Sequence, residues 1–211
     1  MNNRPPEVRQ GIRATIIWLL GFIAVILGLF LYNFVSVRSL SDEQYQELGY
    51  YRFESPRAIS DFNLVNHHGN PVGLDNLKGQ WSLLFFGFTF CPDICPTTMG
   101  VLGRAVNKMT HKPQVVMVSV DPERDTPEML ARYVPGFHPD FIGYTGTFDE
   151  VVQLATQLNI AFGKVPGPAE GSYLVDHSAS IVVVNPEGEY AGFIKAPHDQ
   201  GDIVTIAESL R

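Results

Sequence analysis

Two cysteines lie four residues apart in the segment FCPDICP at positions 90–96, and they are the only cysteines among the 211 residues. Thiolates at this spacing can close a disulfide, bind a soft metal ion or alternate between the two states. The plainer interpretation is a pair of inert core cysteines, because Cys is often buried for packing alone. The confinement of both thiols to one short loop favours joint chemistry of Cys91 and Cys95.

The loop that carries the cysteines leads into a predicted helix, and the positive end of the helix dipole is expected to lower the pKa of the thiols. Residues four apart on a helical turn have Cβ atoms about 5–6 Å apart, whereas a disulfide requires about 3.5–4.5 Å. A disulfide between Cys91 and Cys95 therefore requires a partly non-helical loop, and Pro92 and Pro96 restrict the loop accordingly. Two thiolates held slightly further apart would instead bind one soft ion.

The segments around this loop alternate between strand-like and helix-like patterns. A continuous apolar run at 81–89 is typical of a central strand covered on both faces, and Pro96 suits the first turn of a helix. The order predicts an α/β sandwich of the thioredoxin-like (peroxiredoxin-like) type with an N-terminal β-hairpin. The predicted strands are 62–65, 72–74, 81–89, 114–120, 141–144, 173–175, 180–184 and 190–194; the predicted helices are 96–110, 127 onward, 148–158 and 202–210; and 162–172 is predicted to be a long loop.

Two sulfurs are too few for most metal sites, so a further ligand must come from elsewhere in the chain. His177 is the candidate, because it ends an extended segment whose following loop abuts the cysteine loop in a thioredoxin-like fold. A purely structural histidine is the alternative. The other histidines have plainer expected roles: His67 and His68 lie in a solvated turn, His111 lies near a helix end, and His138 and His198 lie in Pro-containing loops without a companion ligand.

Two thiolates and one imidazole suit a soft or borderline metal ion. Cu(I) accepts three such ligands, and Cu(II) accepts them together with a further weak ligand. Zinc usually takes four ligands, so two Cys, one His and a water leave zinc as an alternative. Asp93, between the thiols, adds negative charge that favours any cation, or else accepts a hydrogen bond that stabilises the loop.

The N-terminal region contains a long apolar segment without any charged residue, at positions 14–37. At about 1.5 Å per residue a helix of this length can cross a hydrocarbon core of about 30 Å. A buried core helix would not need apolar residues on every face, and a cleaved signal peptide would end sooner at a small-x-small site. The sequence therefore predicts one uncleaved transmembrane helix over 14–37.

Charge predicts how this segment is oriented. Arg4, Arg9 and Arg13 precede it, so the positive-inside rule predicts a cytoplasmic tail at 1–13 and an external remainder. We expect a stalk over 38–55 and the thioredoxin-like domain over 56–211. The tail is short and not rich in Ser and Arg, which argues against a mitochondrial transit peptide and favours a bacterial inner-membrane protein facing the periplasm, where disulfides persist.

The net charge is −7 for the whole chain and −10 for residues 39–211, where no basic cluster occurs. Nucleic acid is therefore not an expected partner. A negative surface suits a soluble extracytoplasmic domain and is compatible with the handling of cations.

Several segments together resemble the Sco/SenC family of cytochrome oxidase assembly factors. They are FGFTFCPDICPTT at 86–98, VSVDPERDTP at 118–127, FHP at 137–139, GYTGT at 143–147 and DHS at 176–178, and the similarity extends from about residue 49 to 211. The resemblance implies a thioredoxin-like fold that binds copper through Cys91, Cys95 and His177. It also implies that Asp121 and Asp125, in a loop near the metal, support the site or contact a partner; the plainer alternative is local capping of a helix.

The resemblance implies a membrane-anchored copper metallochaperone that serves the dinuclear copper site in subunit II of cytochrome c oxidase and is supplied by an upstream copper donor or thiol reductant. The alternative is a periplasmic thiol–disulfide oxidoreductase that reduces the cysteines of that site or of other partners. A peroxiredoxin-like peroxidase is a third hypothesis. Two features depart from the related patterns: Phe90 stands where many family members carry His, and no proline precedes Ser180, where thioredoxins place a cis-proline.

Overall fold

The computed structural model describes residues 6–35 and 40–210, with side chains of the first helix described for residues 15–30. The chain divides into two units, Met1–Ser39 and Leu40–Arg211. Positions 1–5 of the predicted tail, 36–37 of the predicted span, 38–39 of the predicted stalk and the terminal residue 211 lie outside the described residues.

The described residues of the first unit form one helix, α1, Pro6–Val35, which is 30 residues long. Its side chains from 15 to 30 are exposed, among them Trp18 and Phe22. No helix within the described residues combines the length and the hydropathy needed to cross a membrane. The transmembrane helix over 14–37 therefore stays a prediction.

The second unit is built on a mixed sheet of eight strands in the order β1-β10-β9-β4-β5-β6-β2-β3. The strands parallel to one another are β4, β5 and β6, whereas β9 runs antiparallel to β4. A separate two-stranded sheet is formed by β7 and β8. The strands are β1 Tyr50–Ala58, β2 Leu64–Asn66, β3 Pro71–Val72, β4 Ser82–Gly87, β5 Gln114–Ser119, β6 Ile142–Thr145, β7 Phe162–Pro166, β8 Tyr173–His177, β9 Ile181–Val184 and β10 Glu189–Ile194.

The described part of this unit has five α-helices: α2 Asp42–Glu47, α3 Ile94–Val106, α4 Pro127–Tyr133, α5 Phe148–Gln157 and α6 Gln200–Ser209. Two short 3-10 helices lie at Leu74–Leu77 and Val134–Gly136. Side chains at four helix starts accept a backbone N–H and so satisfy donors that the helix leaves open. One of them is Ser41, which caps α2. The other three caps are Thr126 for α4, Thr147 for α5 and Asp199 for α6. The mixed α/β architecture confirms the predicted fold class, and the pairing of β2 with β3 confirms the N-terminal hairpin.

The centre of the core lies along β4, every residue of which is buried. Its neighbour β5 is buried from the second residue onward. Since both faces of these strands are covered, their sequences read as continuous apolar runs rather than as alternating patterns. This confirms the expectation of a central strand before the cysteine loop.

Two segments differ from the sequence-based expectation. Residues 40–55 were expected to form a stalk, but they contain α2 and most of β1, which pairs with β10 at an edge of the main sheet. Residues 162–172 were expected to form a loop, but they contain β7, which pairs with β8. Both strands are largely exposed, so neither has the apolar pattern by which strands are recognised.

Candidate metal centre

The cysteine loop follows the carboxyl end of β4 and leads directly into α3. This helix begins at Ile94, two residues earlier than expected, so Cys95 lies in its first turn while Cys91 lies in the preceding loop. The Cys95 backbone N–H donates to Cys91 Sγ over 3.3 Å. Both cysteines are free thiols and both are buried, Cys91 at 8% exposure and Cys95 at 0%.

Gly87, the last residue of β4, makes room for the sulfur of Cys95. A Cβ at this position would lie 3.1 Å from Cys95 Sγ and 2.9 Å from Cε1 of Phe85. Contacts this short are repulsive, so the buried thiol occupies space that a glycine leaves open. The close approach of strand and sulfur therefore requires a residue without a side chain.

His177 reaches the cysteines because of the antiparallel register between β9 and β4. Ile181, at the start of β9, lies opposite Phe85 near the carboxyl end of β4, and His177 ends β8 just before it. His177 Nε2 lies 3.3 Å from Cys95 Sγ. Rings of Phe85 and Phe88 approach the imidazole edge-on, with centroids at 5.9 and 6.0 Å.

A backbone carbonyl fixes the tautomer of His177. Its Nδ1 lies 3.1 Å from the carbonyl oxygen of Ser178, which can only accept a hydrogen bond, so Nδ1 carries the proton and donates. In the neutral imidazole the lone pair is then on Nε2, which faces the sulfurs. Metal-binding histidines are generally oriented by a hydrogen bond from the ring nitrogen that does not bind the metal.

The donor atoms of Cys91, Cys95 and His177 all lie within 4.8 Å of one another. Bond lengths of about 2.0–2.3 Å place the donors around a three-coordinate ion about 3.5–4 Å apart, which is compatible with this cluster. Two sulfurs and one imidazole nitrogen suit a soft ion such as copper. The structure thus brings together all three predicted ligands.

The two thiols differ in acidity. The hydrogen bond from Cys95 lowers the pKa of Cys91 to about 4 against the opposing effect of burial, and His177 lowers it further. The same hydrogen bond, together with burial, raises the pKa of Cys95. The expectation that both thiols would become more acidic therefore applies to Cys91 alone, which is the thiolate of the pair.

Asp125 lies behind the cysteine loop and is fully buried. Its carboxylate accepts hydrogen bonds from the Thr89 backbone N–H (3.0 Å), the Thr89 hydroxyl (2.5 Å) and the Ser119 hydroxyl (2.7 Å). Burial raises the pKa of this carboxyl, while the hydrogen bonds from Thr89 and Ser119 oppose the shift. Asp125 thus fixes the segment that enters the cysteine loop and is not part of the donor cluster.

Asp121 is also buried and connects to β8. It accepts a hydrogen bond from the Tyr173 hydroxyl over 2.9 Å and pairs with the Arg124 guanidinium. Tyr173 lies on the same strand as His177. No local pattern in the sequence indicates this contact, because it joins a predicted loop to an extended segment 52 residues away.

The remaining histidines lie outside the donor cluster, and one of them differs from expectation. His67 was expected to be solvated, but it is buried, and its Nδ1 accepts a hydrogen bond from the Gly143 N–H over 2.9 Å. The others are placed as follows: His68 is exposed, His111 faces Glu208, Nδ1 of His138 accepts from the Asp140 N–H, and Nε2 of His198 donates to the Ala179 carbonyl.

The family model described as SCO1/SenC matches residues 52–210 of this chain. The chain belongs to the SCO1/SenC family. This confirms the resemblance that the cysteine, VDPERD and DHS motifs predicted.

Relatives with solved structures share the fold of this SCO1/SenC member. Arabidopsis thaliana ScoI with copper bound is 34% identical with a TM-score of 0.68, over 72% of this chain and 97% of that one. BsSco is described as a member of the Sco family of cytochrome c oxidase assembly proteins with a disulfide switch; it is 25% identical with a TM-score of 0.58, over 76% of this chain and 98% of that one.

A protein of Stutzerimonas stutzeri whose name refers to copper binding is 40% identical over 146 residues, which cover 67% of this chain and 71% of the relative. The chain spans only 52 to 60% of the length of the mitochondrial SCO1 and SCO2 relatives from animals and yeast. Similarity to those relatives therefore concerns the domain and not their whole length.

Proposed function

We propose that this protein is a copper metallochaperone in which Cys91, Cys95 and His177 hold the ion. The observation that carries the proposal is the convergence of three soft-metal donors from two distant segments within 4.8 Å. The solved relative with copper bound supports copper as the ion. The Cys91 thiolate needs no proton removed before it binds the ion.

We propose that the acceptor is the dinuclear copper site in subunit II of cytochrome c oxidase, with an upstream copper donor or thiol reductant preparing the chaperone. The description of BsSco as a member of a family of oxidase assembly proteins supports this acceptor. Cys91 is the more exposed of the two cysteines, so we expect an incoming thiolate of the acceptor to meet it first. Transfer then proceeds by exchange of one sulfur ligand for another.

The test is X-ray absorption on the copper-loaded full-length protein. We expect two sulfur ligands and one nitrogen ligand in the wild type, and loss of the nitrogen in His177→Ala. The exposed His68 supplies a matched control, because His68→Ala should retain the wild-type spectrum. An unchanged nitrogen count in His177→Ala would contradict the three-ligand site.

A second function, thiol–disulfide exchange, is favoured by the unequal acidity of the two thiols. The Cys91 thiolate attacks a disulfide of the partner and releases one partner thiolate. Cys95 then attacks the mixed disulfide, which leaves a Cys91–Cys95 disulfide and a reduced partner dithiol. We expect Cys95→Ser to trap a mixed disulfide with oxidised subunit II, with or without His177; the absence of a trapped species would exclude this function.

We propose further that α1 anchors the protein in a bacterial inner membrane, with the N-terminus in the cytoplasm and the domain in the periplasm. Support comes from the 30-residue length of the helix, about 45 Å, and from its exposed apolar side chains. A C-terminal alkaline phosphatase fusion should be active in Escherichia coli. An inactive fusion beside an active cytoplasmic reporter fusion would contradict the orientation.

A further inference from the structure

The hairpin of β7 and β8 carries His177 but is not part of the main sheet. In the described sheet pattern its two strands pair only with each other. A cavity of about 320 Å³, lined among others by Pro122 of the 121–126 loop and by Phe162 of β7, lies between the hairpin and that loop. The position of His177 therefore depends on side-chain contacts that hold the hairpin against the domain.

Arg124 supplies several of these contacts to β8. Its guanidinium carbon lies 3.9 Å from the ring centroid of Tyr173, and Nη1 donates to the Tyr173 carbonyl over 3.3 Å. Its Nε pairs with Asp121, which also accepts the Tyr173 hydroxyl. Tyr173 lies four positions before His177 on the same strand, so the contact fixes the part of the hairpin that carries the imidazole.

The same guanidinium contacts the cysteine loop. Its carbon lies 5.0 Å from the ring centroid of Phe90, the residue before Cys91, and 5.8 Å from that of Phe88. Cations within about 6 Å of a ring centroid are attracted to the face of the ring. The Arg124 guanidinium thus lies between the loop that carries the two cysteines and the strand that carries His177.

We propose that Arg124 is a positioning residue for the metal site: it joins the cysteine loop to the His177 hairpin through Phe90 and Tyr173 and thereby holds the imidazole beside the sulfurs. The inference rests on the proposed copper site for its effect on affinity. Lysine cannot replace arginine in this role, because an ammonium group has no planar face to stack on two rings.

The test compares Cu(I) affinities of the full-length protein by competition with bathocuproine disulfonate. We expect Arg124→Met to weaken binding about 10-fold, the range typical of residues that orient a metal ligand. In the His177→Ala background the same substitution should change affinity less than about 2-fold, because a residue that acts through His177 has no further effect once His177 is absent. An equal loss in both backgrounds, or no loss in either, would overturn the proposal.

Two further variants separate positioning from stability. Arg124→Lys keeps a cation beside the buried carboxylate of Asp121, and we expect it to fold and still to lose most of the affinity. Lys164→Met is the matched control, because Lys164 also lies over Tyr173, at 4.5 Å, and pairs with Glu123 instead of contacting the cysteine loop. It should keep the wild-type affinity; if it loses as much as Arg124→Met, the role is not specific to Arg124.

A measurement without copper distinguishes this inference from the proposed function. In the reduced metal-free protein, NMR should show a nuclear Overhauser contact between the His177 ring and the Cys95 side chain, and Arg124→Met should lose it while signals from β4 and β5 stay in place. Failure of the wild type to bind copper would refute the proposed function alone. Persistence of this contact in Arg124→Met would refute the positioning role alone.

Discussion

Cys91 and Cys95 have the same side chain, but their surroundings give them different affinities for a proton. Cys91 accepts hydrogen bonds from the Cys95 thiol and backbone, which stabilise its thiolate, whereas Cys95 is completely buried beside that negative charge. Only one of the two protons is lost easily. The pair therefore offers one nucleophile or ligand at neutral pH and keeps the second sulfur protonated until a metal or a disulfide displaces its proton.

This asymmetry predicts a pH dependence for alkylation of Cys91. Since the pKa of Cys91 is lowered to about 4, its reaction with iodoacetamide should remain fast as the pH falls from 8 to 5 and decline only near pH 4. Because the Cys95 hydrogen bond is the main cause, Cys95→Ala should move the midpoint up toward the ordinary thiol value of about 8.5.

Mass spectrometry of timed alkylation would supply the pH profile of Cys91. His177→Ala should move the midpoint in the same direction by a smaller amount, since His177 contributes less to the shift. The exposed His68 again supplies the control, and His68→Ala should leave the midpoint unchanged. A wild-type midpoint above pH 7 would show that Cys91 is not the thiolate of the pair.

Gly87 supports a prediction about the space around Cys95. The added methyl group of Gly87→Ala would lie 3.1 Å from the Cys95 sulfur, so the sulfur or the strand must move. We expect a loss of about 1–3 kcal/mol in the free energy of unfolding, as for other overpacked cores, and weaker Cu(I) binding. Gly136→Ala, where no atom lies within 4 Å, should change neither quantity in urea unfolding and copper competition.

At the scale of elements, the buried strands and the amphipathic helices could be predicted from the sequence. β4 is buried throughout and mostly apolar because both its faces are covered, and α5 begins at Phe148, where the sequence predicted a helix. β1 and β7 could not be predicted, since their residues are mostly exposed and β1 pairs with a strand more than a hundred residues away. Exposed strands at an edge are defined by their partner more than by their own pattern.

The three donor residues of the metal centre could be predicted from the sequence, but the contacts that position them could not. Residue type and motif identified Cys91, Cys95 and His177, while their approach depends on the register of β9 against β4. Asp125 was expected to support the site or to contact a partner, and the structure shows it bound to Thr89, two residues before Cys91. The contact between Asp121 and Tyr173 had no local signal in the sequence.

The placement of β1 in the main sheet predicts that Tyr50 contributes to stability. Tyr50 is fully buried, pairs with Ile194 and contacts the Tyr45 ring edge-on at 5.2 Å. We expect Tyr50→Ala to lower the free energy of unfolding by about 3–5 kcal/mol, as for other large aromatic deletions from cores. Urea unfolding monitored by fluorescence would measure this, and the exposed Glu54 supplies a control in Glu54→Ala; equal stabilities would mean that this segment is a linker after all.

At the scale of the whole molecule, the three donors and the proposed membrane anchor belong to different units. All three donors lie in Leu40–Arg211, and the exposed apolar side chains of α1 lie in the other unit. We expect the full chain to sediment with membranes after carbonate extraction. A chain that begins at Leu40 should remain in the supernatant with an unchanged copper stoichiometry; recovery of the full chain in the supernatant would contradict the anchor.

The donors of the metal centre come from segments that lie far apart in the chain, since 82 positions separate Cys95 from His177. An ion bound to all three would crosslink the chain and close a long loop between Cys95 and His177. Such crosslinks reduce the conformational entropy of the unfolded chain. The bound copper ion would therefore stabilise the folded domain, and the stabilisation would be reversible. The copper-bound protein should have a higher unfolding temperature than the metal-free protein. Release of copper would lower the stability of the domain again.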